Sequence, residues 1–392
     1  MTHDPAAAPL ARARELTEDL TFAHAKAWKA AHPGGLVVGH LPIYVPRPLF
    51  EAIGCLPVAI YGGGDQVDVV RGDSFFQSYI CHLPRSTVEL GVSGALDGFD
   101  AFVFPSTCDV IRNLSGMWKI LFPHKPVAYL DMPQNFDAHL GGKFYALELS
   151  RIAHLLQERG ARPLLDEALA AAIGRENERG ALLDELDRMR REEPWRVRAS
   201  EAYVAARAGT VLPAGEHAAL LRELIPALRR RSARAYDNAR VLVVGSFCEQ
   251  PPPGLIKTLE QSGCDIVSDD FNLGLRAVQG AIRVAPGEEP LAALARAFLE
   301  QGTQTACRYI GKEKKGAALV QAVKACRADG VVFLAASFCD PALLDQPMLE
   351  AALDEASVPH TSVKFAENTG QFQAVREQAG AFGDSLKLWG AA

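Results

Sequence analysis

The strongest constraint on this chain is a pattern of short, unbroken apolar runs separated by stretches of helical periodicity, in two batches. In the first batch, Leu36–Val45, Leu56–Tyr61, Phe99–Phe104 and Pro126–Leu130 read as strands. Helices are predicted over Pro46–Gly54, Ser74–Leu96 (interrupted near Pro84) and Asp109–Leu121. In the second batch, Arg240–Ser246, Asp265–Ser268, Val331–Ala336 and His360–Phe365 read as strands. Leu255–Gln261, Pro290–Gln301, Lys314–Ala328, Pro341–Glu355 and Gln371–Leu388 read as helices. A strand with one wet face alternates apolar and polar residues. Strands apolar throughout belong to a parallel sheet covered by helices on both faces.

Strand signals vanish from Lys143 to about Arg234, where Ala, Leu, Arg and Glu dominate and breaks fall at Arg162-Pro163, Pro194 and Pro213. This segment predicts several helices. A further helical pattern over Ala11–Ala31 stops at Pro33-Gly34-Gly35. The expected fold is therefore α/β with two parallel-sheet domains. The expected organisation is a helical segment over 1–35, a first α/β domain over 36–142, a helical region over 143–237 and a second α/β domain over 238–392.

With 392 residues, 48% apolar and 22% charged, the chain is long and apolar enough to bury two or three cores. Lys plus Arg number 41 and Asp plus Glu 47, a net charge of −6 that argues against coating nucleic acid or an anionic membrane. No run of about 20 apolar residues is present. The Met1–Leu10 stretch lacks the charged and apolar regions of a signal peptide. A soluble, cytoplasmic protein with reduced thiols is expected.

Its eight cysteines are Cys55, Cys81, Cys108, Cys248, Cys264, Cys307, Cys326 and Cys339. None forms a C-x-x-C pair, which excludes a zinc ribbon or a bacterial ferredoxin run. Any metal site has to be gathered by the fold. Three strands end alike, in Ser106-Thr107-Cys108-Asp109, Ser246-Phe247-Cys248-Glu249 and Ser337-Phe338-Cys339-Asp340. Each is an apolar run, then Ser-x-Cys-(Asp/Glu), then a helical pattern. Ligands bind at the carboxyl ends of parallel strands. A cysteine opening the next helix lies at the positive end of its dipole, which favours the thiolate that ligates iron or zinc. A metal or redox role is expected for Cys108 and Cys339, with Cys248 balanced between that role and packing. Cys55, Cys264, Cys307 and Cys326 read as packing residues.

Other motifs carry less. Gly62-Gly63-Gly64 lacks the G-x-G-x-x-G spacing and reads as a turn after a strand. Gly311-Lys312-Glu313-Lys314-Lys315-Gly316 is not a P-loop and reads as an exposed charged loop. No histidine pair has metal-ligand spacing; His82, beside Cys81, offers a proton donor near a cluster, and the preferred reading is an ordinary surface or core histidine.

Taken in order, these segments resemble a known family. They are Leu41-Pro42-Ile43-Tyr44-Val45-Pro46-Arg47, Gly62-Gly63-Gly64-Asp65, Asp73 to Cys81, Ser106 to Asn113, Ser246 to Pro251, Ala336 to Pro341 and Glu367-Asn368-Thr369-Gly370-Gln371. Together they are similar to the benzoyl-CoA reductase and 2-hydroxyacyl-CoA dehydratase family, following most closely the gamma-chain pattern of the ATP-dependent reductases. The resemblance implies two flavodoxin-like (Rossmann-like) domains with an added helical region. It implies a [4Fe–4S] cluster held by Cys81, Cys108 and Cys339, or a larger iron–sulfur cluster if Cys248 is also a ligand. It further implies a homologous beta subunit, two ATP-binding activator-type subunits, reduced ferredoxin as electron donor and benzoyl-CoA as substrate. The absence of a P-loop accords with ATP chemistry on other chains. The resemblance leaves open a 2-hydroxyacyl-CoA dehydratase subunit (a lyase) and a non-catalytic cluster-bearing electron carrier.

Overall fold

The computed structural model describes residues 4–306, 308, 314–366 and 372–389. Cys307, residues 311–313 of the charged run and the 367–371 motif lie outside them. Two four-stranded sheets, parallel throughout, carry the fold. The first holds β1 (Leu36–His40), β2 (Cys55–Ala59), β3 (Ala101–Pro105) and β4 (Val127–Leu130), in the order β2-β1-β3-β4. The second holds β5 (Ala239–Val244), β6 (Cys264–Asp269), β7 (Gly330–Ala336) and β8 (His360–Phe365), in the order β6-β5-β7-β8. The second sheet thus repeats the first strand for strand. In register, Gly39 of β1 lies opposite Val58 and Phe102, and Val243 of β5 lies opposite Asp269 and Val332. The architecture is a pair of doubly wound, Rossmann-like units with helical additions.

Every residue of β2, β3 and β7 is buried, as two-sided helix cover requires. At Gly39 a β-carbon would stand 2.8 Å from Ile60 and from the Phe102 ring, so only glycine lets these side chains close over the strand. One apolar core runs through both sheets, and a smaller one lies among the helices between them. Trp118, fully buried, anchors the first half against Phe102, Phe104 and Phe122 at ring separations of 5.0, 5.7 and 4.6 Å.

Four helices lie between the sheets: Lys143–Gln157, Asp166–Glu192, Ala199–Ala208 and Ala214–Arg230. Buried polar groups tie them to both halves. The Arg47 guanidinium donates to the carbonyls of Thr210 (3.2 Å) and Leu212 (2.8 Å). Glu51 accepts the Ala214 N–H at 2.8 Å, and Glu260 accepts the Ala199 N–H at 2.7 Å. Each satisfies a first-turn donor that has no partner within its own helix. Among the described residues no helix is long and apolar enough to cross a membrane.

Three local expectations are corrected. The leading segment forms two helices, Ala7–Glu18 and Ala23–Ala31, because the Asp19 carboxylate accepts the N–H of Thr21 (2.8 Å) and Ala23 (2.7 Å) and starts a second helix. The strand begun at Leu36 ends at His40, and the chain beyond it turns through Tyr44 at φ 65°. Pro84 does not interrupt a helix. It is the third residue of His82–Val92, where its missing N–H forfeits no helical bond.

Candidate functional site

In a doubly wound sheet a crevice opens where the strand order reverses, at the carboxyl ends of the strands. The reversals here lie between β1 and β3 and between β5 and β7. Cys108 follows β3 and Cys339 follows β7, equivalent places in the two sheets. Each is the N-cap of the helix it precedes, Asp109–Leu121 or Asp340–Glu355. Cys81 is the N-cap of His82–Val92, which corrects the expectation that it belongs to a helical stretch ending near Pro84. All three thiols therefore stand at positive helix ends.

Burial outweighs that dipole. It raises the thiol pKa of Cys81 and Cys108 and pushes that of Cys339 up to about 12. The N–H groups of Ile111 and Val110 oppose the shift at Cys108, and that of Ala342 opposes it at Cys339. The expected thiolates are thus thiols in the unliganded chain, and binding a metal has to displace their protons.

The three cysteines share one electrostatic neighbourhood. After burial, the Cys81 shift owes to Glu249, Cys339, Cys108 and Asp340 in turn, and Cys339 feels Glu249 and Cys108. Yet among the described residues no three His, Cys, Asp or Glu side chains are gathered so as to hold a metal ion. An all-thiol donor set suits soft metals and iron–sulfur units rather than magnesium or calcium.

The Cys248 corner departs from its repeat. The helix after it begins at Pro253, with Pro252 as N-cap, so Cys248 does not open a helix as expected. The Pro251-Pro252-Pro253 run holds the chain extended there. Cys248 is buried, and one of its electrostatic neighbours is Tyr61, at the end of the first sheet. The serines of the repeat tie strand ends together. Ser106 Oγ accepts the Met132 N–H at 2.9 Å, and Ser246 Oγ donates to the Leu334 carbonyl. Cys55, Cys264 and Cys326 are buried. Gly62, at φ 74°, is a turn residue against which Ser86 packs too closely for any side chain.

Two acids at the site escape sequence reasoning. Glu249 is 2% exposed and accepts the Leu83 N–H at 3.1 Å. The one signal for it is the acid that follows each Ser-x-Cys. Asp270 accepts the N–H of Gly245 (2.7 Å) and Ser246 (3.1 Å), and burial pushes its pKa up to about 7. No local pattern marks it. Asp270 lines a cavity of about 510 Å³ floored by Leu242, Val244, Phe333 and Ala335. The cavity reaches Phe247 and Ala342, beside the Cys248 and Cys339 corners.

The family model described as 2-hydroxyglutaryl-CoA dehydratase, D-component, matches residues 42–386. A benzoyl-CoA reductase subunit of Thauera aromatica is 47% identical over 381 residues, 97% of this chain and 98% of that protein. The beta subunit of (R)-2-hydroxyglutaryl-CoA dehydratase of Acidaminococcus fermentans is 28% identical, covering 90% of this chain and 93% of its own. The beta subunit of (R)-phenyllactyl-CoA dehydratase of Clostridium sporogenes is 22% identical, covering 90% and 92%.

Proposed function

Since the chain belongs to the 2-hydroxyglutaryl-CoA dehydratase D-component family, we propose that it is the iron–sulfur-bearing gamma-type subunit of an ATP-dependent benzoyl-CoA reductase. The reaction is the one-electron-stepwise dearomatisation of benzoyl-CoA to a cyclohexadiene-carbonyl-CoA, with reduced ferredoxin as donor. The observation that carries this reading is the 47% identity to a reductase subunit over nearly the whole chain, against 28% and 22% for dehydratase subunits.

In this reading Cys81, Cys108 and Cys339 hold a [4Fe–4S] cluster, and Cys248 is a further ligand if the cluster is larger. The helix N-cap setting of the three thiols and their mutual electrostatic contact support it. A cluster does not need the tight gathering that a single ion does. A lone ion draws every thiolate onto one centre at about 2.3 Å, whereas cluster thiolates bind different irons and stand further apart. When bound, such a cluster supplies low-potential electrons, which no side chain can.

The chain's own residues supply the rest. Helix ends favour the thiolates once their protons leave. The β5–β7 cavity is wide enough for an aromatic acyl group. Its charged lining is mostly acidic, with Asp269, Asp270, Glu300 and Asp345 against Lys315, so the CoA phosphates belong outside it. The reading places a homologous beta subunit and two ATP-binding subunits beside this chain.

Anaerobic reconstitution tests the metal half: iron and acid-labile sulfide should both bind, and Cys81→Ala, Cys108→Ala and Cys339→Ala should each lose most of the iron. Loss of iron in Cys248→Ala as well would mark it as a ligand. The reaction is tested by assembling the chain with its partner subunits and supplying ATP, reduced ferredoxin and either benzoyl-CoA or a 2-hydroxyacyl-CoA. Dehydration of the hydroxyacyl thioester without ring reduction would replace the reductase reading by the lyase one.

A further inference from the structure

The Cys248 corner sends its acid, Glu249, toward the Cys81 helix of the first half. Glu249 Oε2 accepts the Leu83 N–H across 166 residues of chain. Leu83 is the second residue of helix His82–Val92, whose N-cap, Cys81, makes no side-chain cap bond. An N-cap side chain ordinarily takes the N–H of the second or third helical residue. Glu249 does that capping from the second half of the molecule and leaves the Cys81 thiol for other work.

The sequence context explains why this acid alone turns inward. Asp109 and Asp340, at the matching places, are the first residues of their own helices. After Glu249 the next helix waits until Pro253, and the carboxylate is directed into the first half instead. Glu249 is also the leading charged neighbour of both Cys81 and Cys339.

We propose that Glu249 is a positioning residue of the cysteine site, fixing the Cys81 helix of the first half to the second half so that Cys81 is held facing Cys108 and Cys339. The proposal rests on the reading of these cysteines as cluster ligands. Glu260 is a natural control: it caps Ala199–Ala208 in the same way, and that helix carries no cysteine.

The test uses the full chain, reconstituted anaerobically, as wild type, Glu249→Ala, Glu249→Gln, Glu249→Asp and Glu260→Ala. Iron per chain, the electron paramagnetic resonance line shape of the reduced protein, the melting temperature and amide exchange over 81–90 are measured. Glu249→Ala should lose at least half its iron or change line shape, and exchange at least ten-fold faster at Leu83. Gln, whose carbonyl oxygen accepts the same N–H, should restore both. Asp, which keeps the charge but is shorter, should restore neither fully and stands in if the Ala variant does not fold. Glu260→Ala should melt earlier with iron and line shape unchanged. Wild-type iron and line shape in Glu249→Ala overturn the proposal. So does iron loss that merely follows melting temperature in both Ala variants. A wild-type chain that binds no iron overturns the cluster reading itself, and the Leu83 exchange rates then judge the Glu249 contact separately.

Discussion

Phe338, just before Cys339, holds φ 65° and leaves half its side chain exposed. A left-handed conformation costs an L-residue roughly 1–2 kcal/mol, and a half-exposed ring regains little of it by burial. Glycine escapes that cost and alanine does not. Phe338→Gly should therefore be more stable than Phe338→Ala by about 1 kcal/mol in denaturant unfolding; equal midpoints would mean the backbone there is unstrained. His217 shows burial acting on a base. It is fully buried, its Nε2 lies 2.9 Å from the Ala205 carbonyl, and burial, then the charges of Arg179 and Arg47, lower its pKa to about 3. The unfolded chain gains a proton at this histidine below about pH 6.5, while the folded chain does not until about pH 3. Its contribution is intact above pH 6.5 and is lost as pH falls, by about 1.4 kcal/mol per unit. His217→Gln, which can still donate to Ala205, should flatten the stability–pH slope between pH 5 and 6.5 by about that amount. An unchanged slope would show that His217 titrates normally in the fold.

Among the elements, the long helix Asp166–Glu192 is fastened to the end of β6 by a buried ion pair, Arg190 with Asp269, each 2% exposed in its side chain. Burial disfavours the Arg190 charge, but Asp269 and Asp187 restore it, so the guanidinium stays ionised. Removing one partner of such a pair strands the other in a poorly solvated place. Arg276 stands 3.6 Å from Asp269 and compensates in part. Arg190→Met should cost about 3 kcal/mol by urea unfolding, and Arg190→Met with Asp269→Asn should recover part of it. Additive losses in the double variant would show that the two side chains do not act as a pair. In the first half, Trp118→Ala opens a cavity among Phe102, Phe104 and Phe122 and should cost about 3–5 kcal/mol.

The molecule as a whole is one strand order used twice, β2-β1-β3-β4 and β6-β5-β7-β8. Repetition brings Cys108 and Cys339 to equivalent corners, and the seam between the halves brings Cys81 and Glu249 to them. A site shared between halves should be lost when they separate. Under mild denaturant, reconstituted protein is expected to release iron in the same transition that opens the Leu83 N–H, held by Glu249 across the two halves, to amide exchange. Iron retained past that transition would confine the ligands to one half.

The strands, the parallel sheets and the helical middle were legible in the sequence because apolar runs, helical periodicity and proline breaks act over a few residues. The helices Asp109–Leu121 and Pro290–Gln301 and the strand His360–Phe365 match their predicted limits for that reason. The repeated Ser-x-Cys corners were legible too, being contiguous. Other features depend on groups far apart in the chain. The Cys81 helix starts at His82 rather than ending near Pro84, in a setting where Glu249, 166 residues on, caps its first turn. Cys248 does not open a helix, although its motif copies two that do. The dipole argument favoured thiolates, but desolvation depends on what the whole fold packs around each sulfur, and it keeps them protonated. Local sequence determined which segments form elements and where the chain turns; only the tertiary structure decided which corners meet and what charge they carry, because burial and through-space contact are properties of the assembled core.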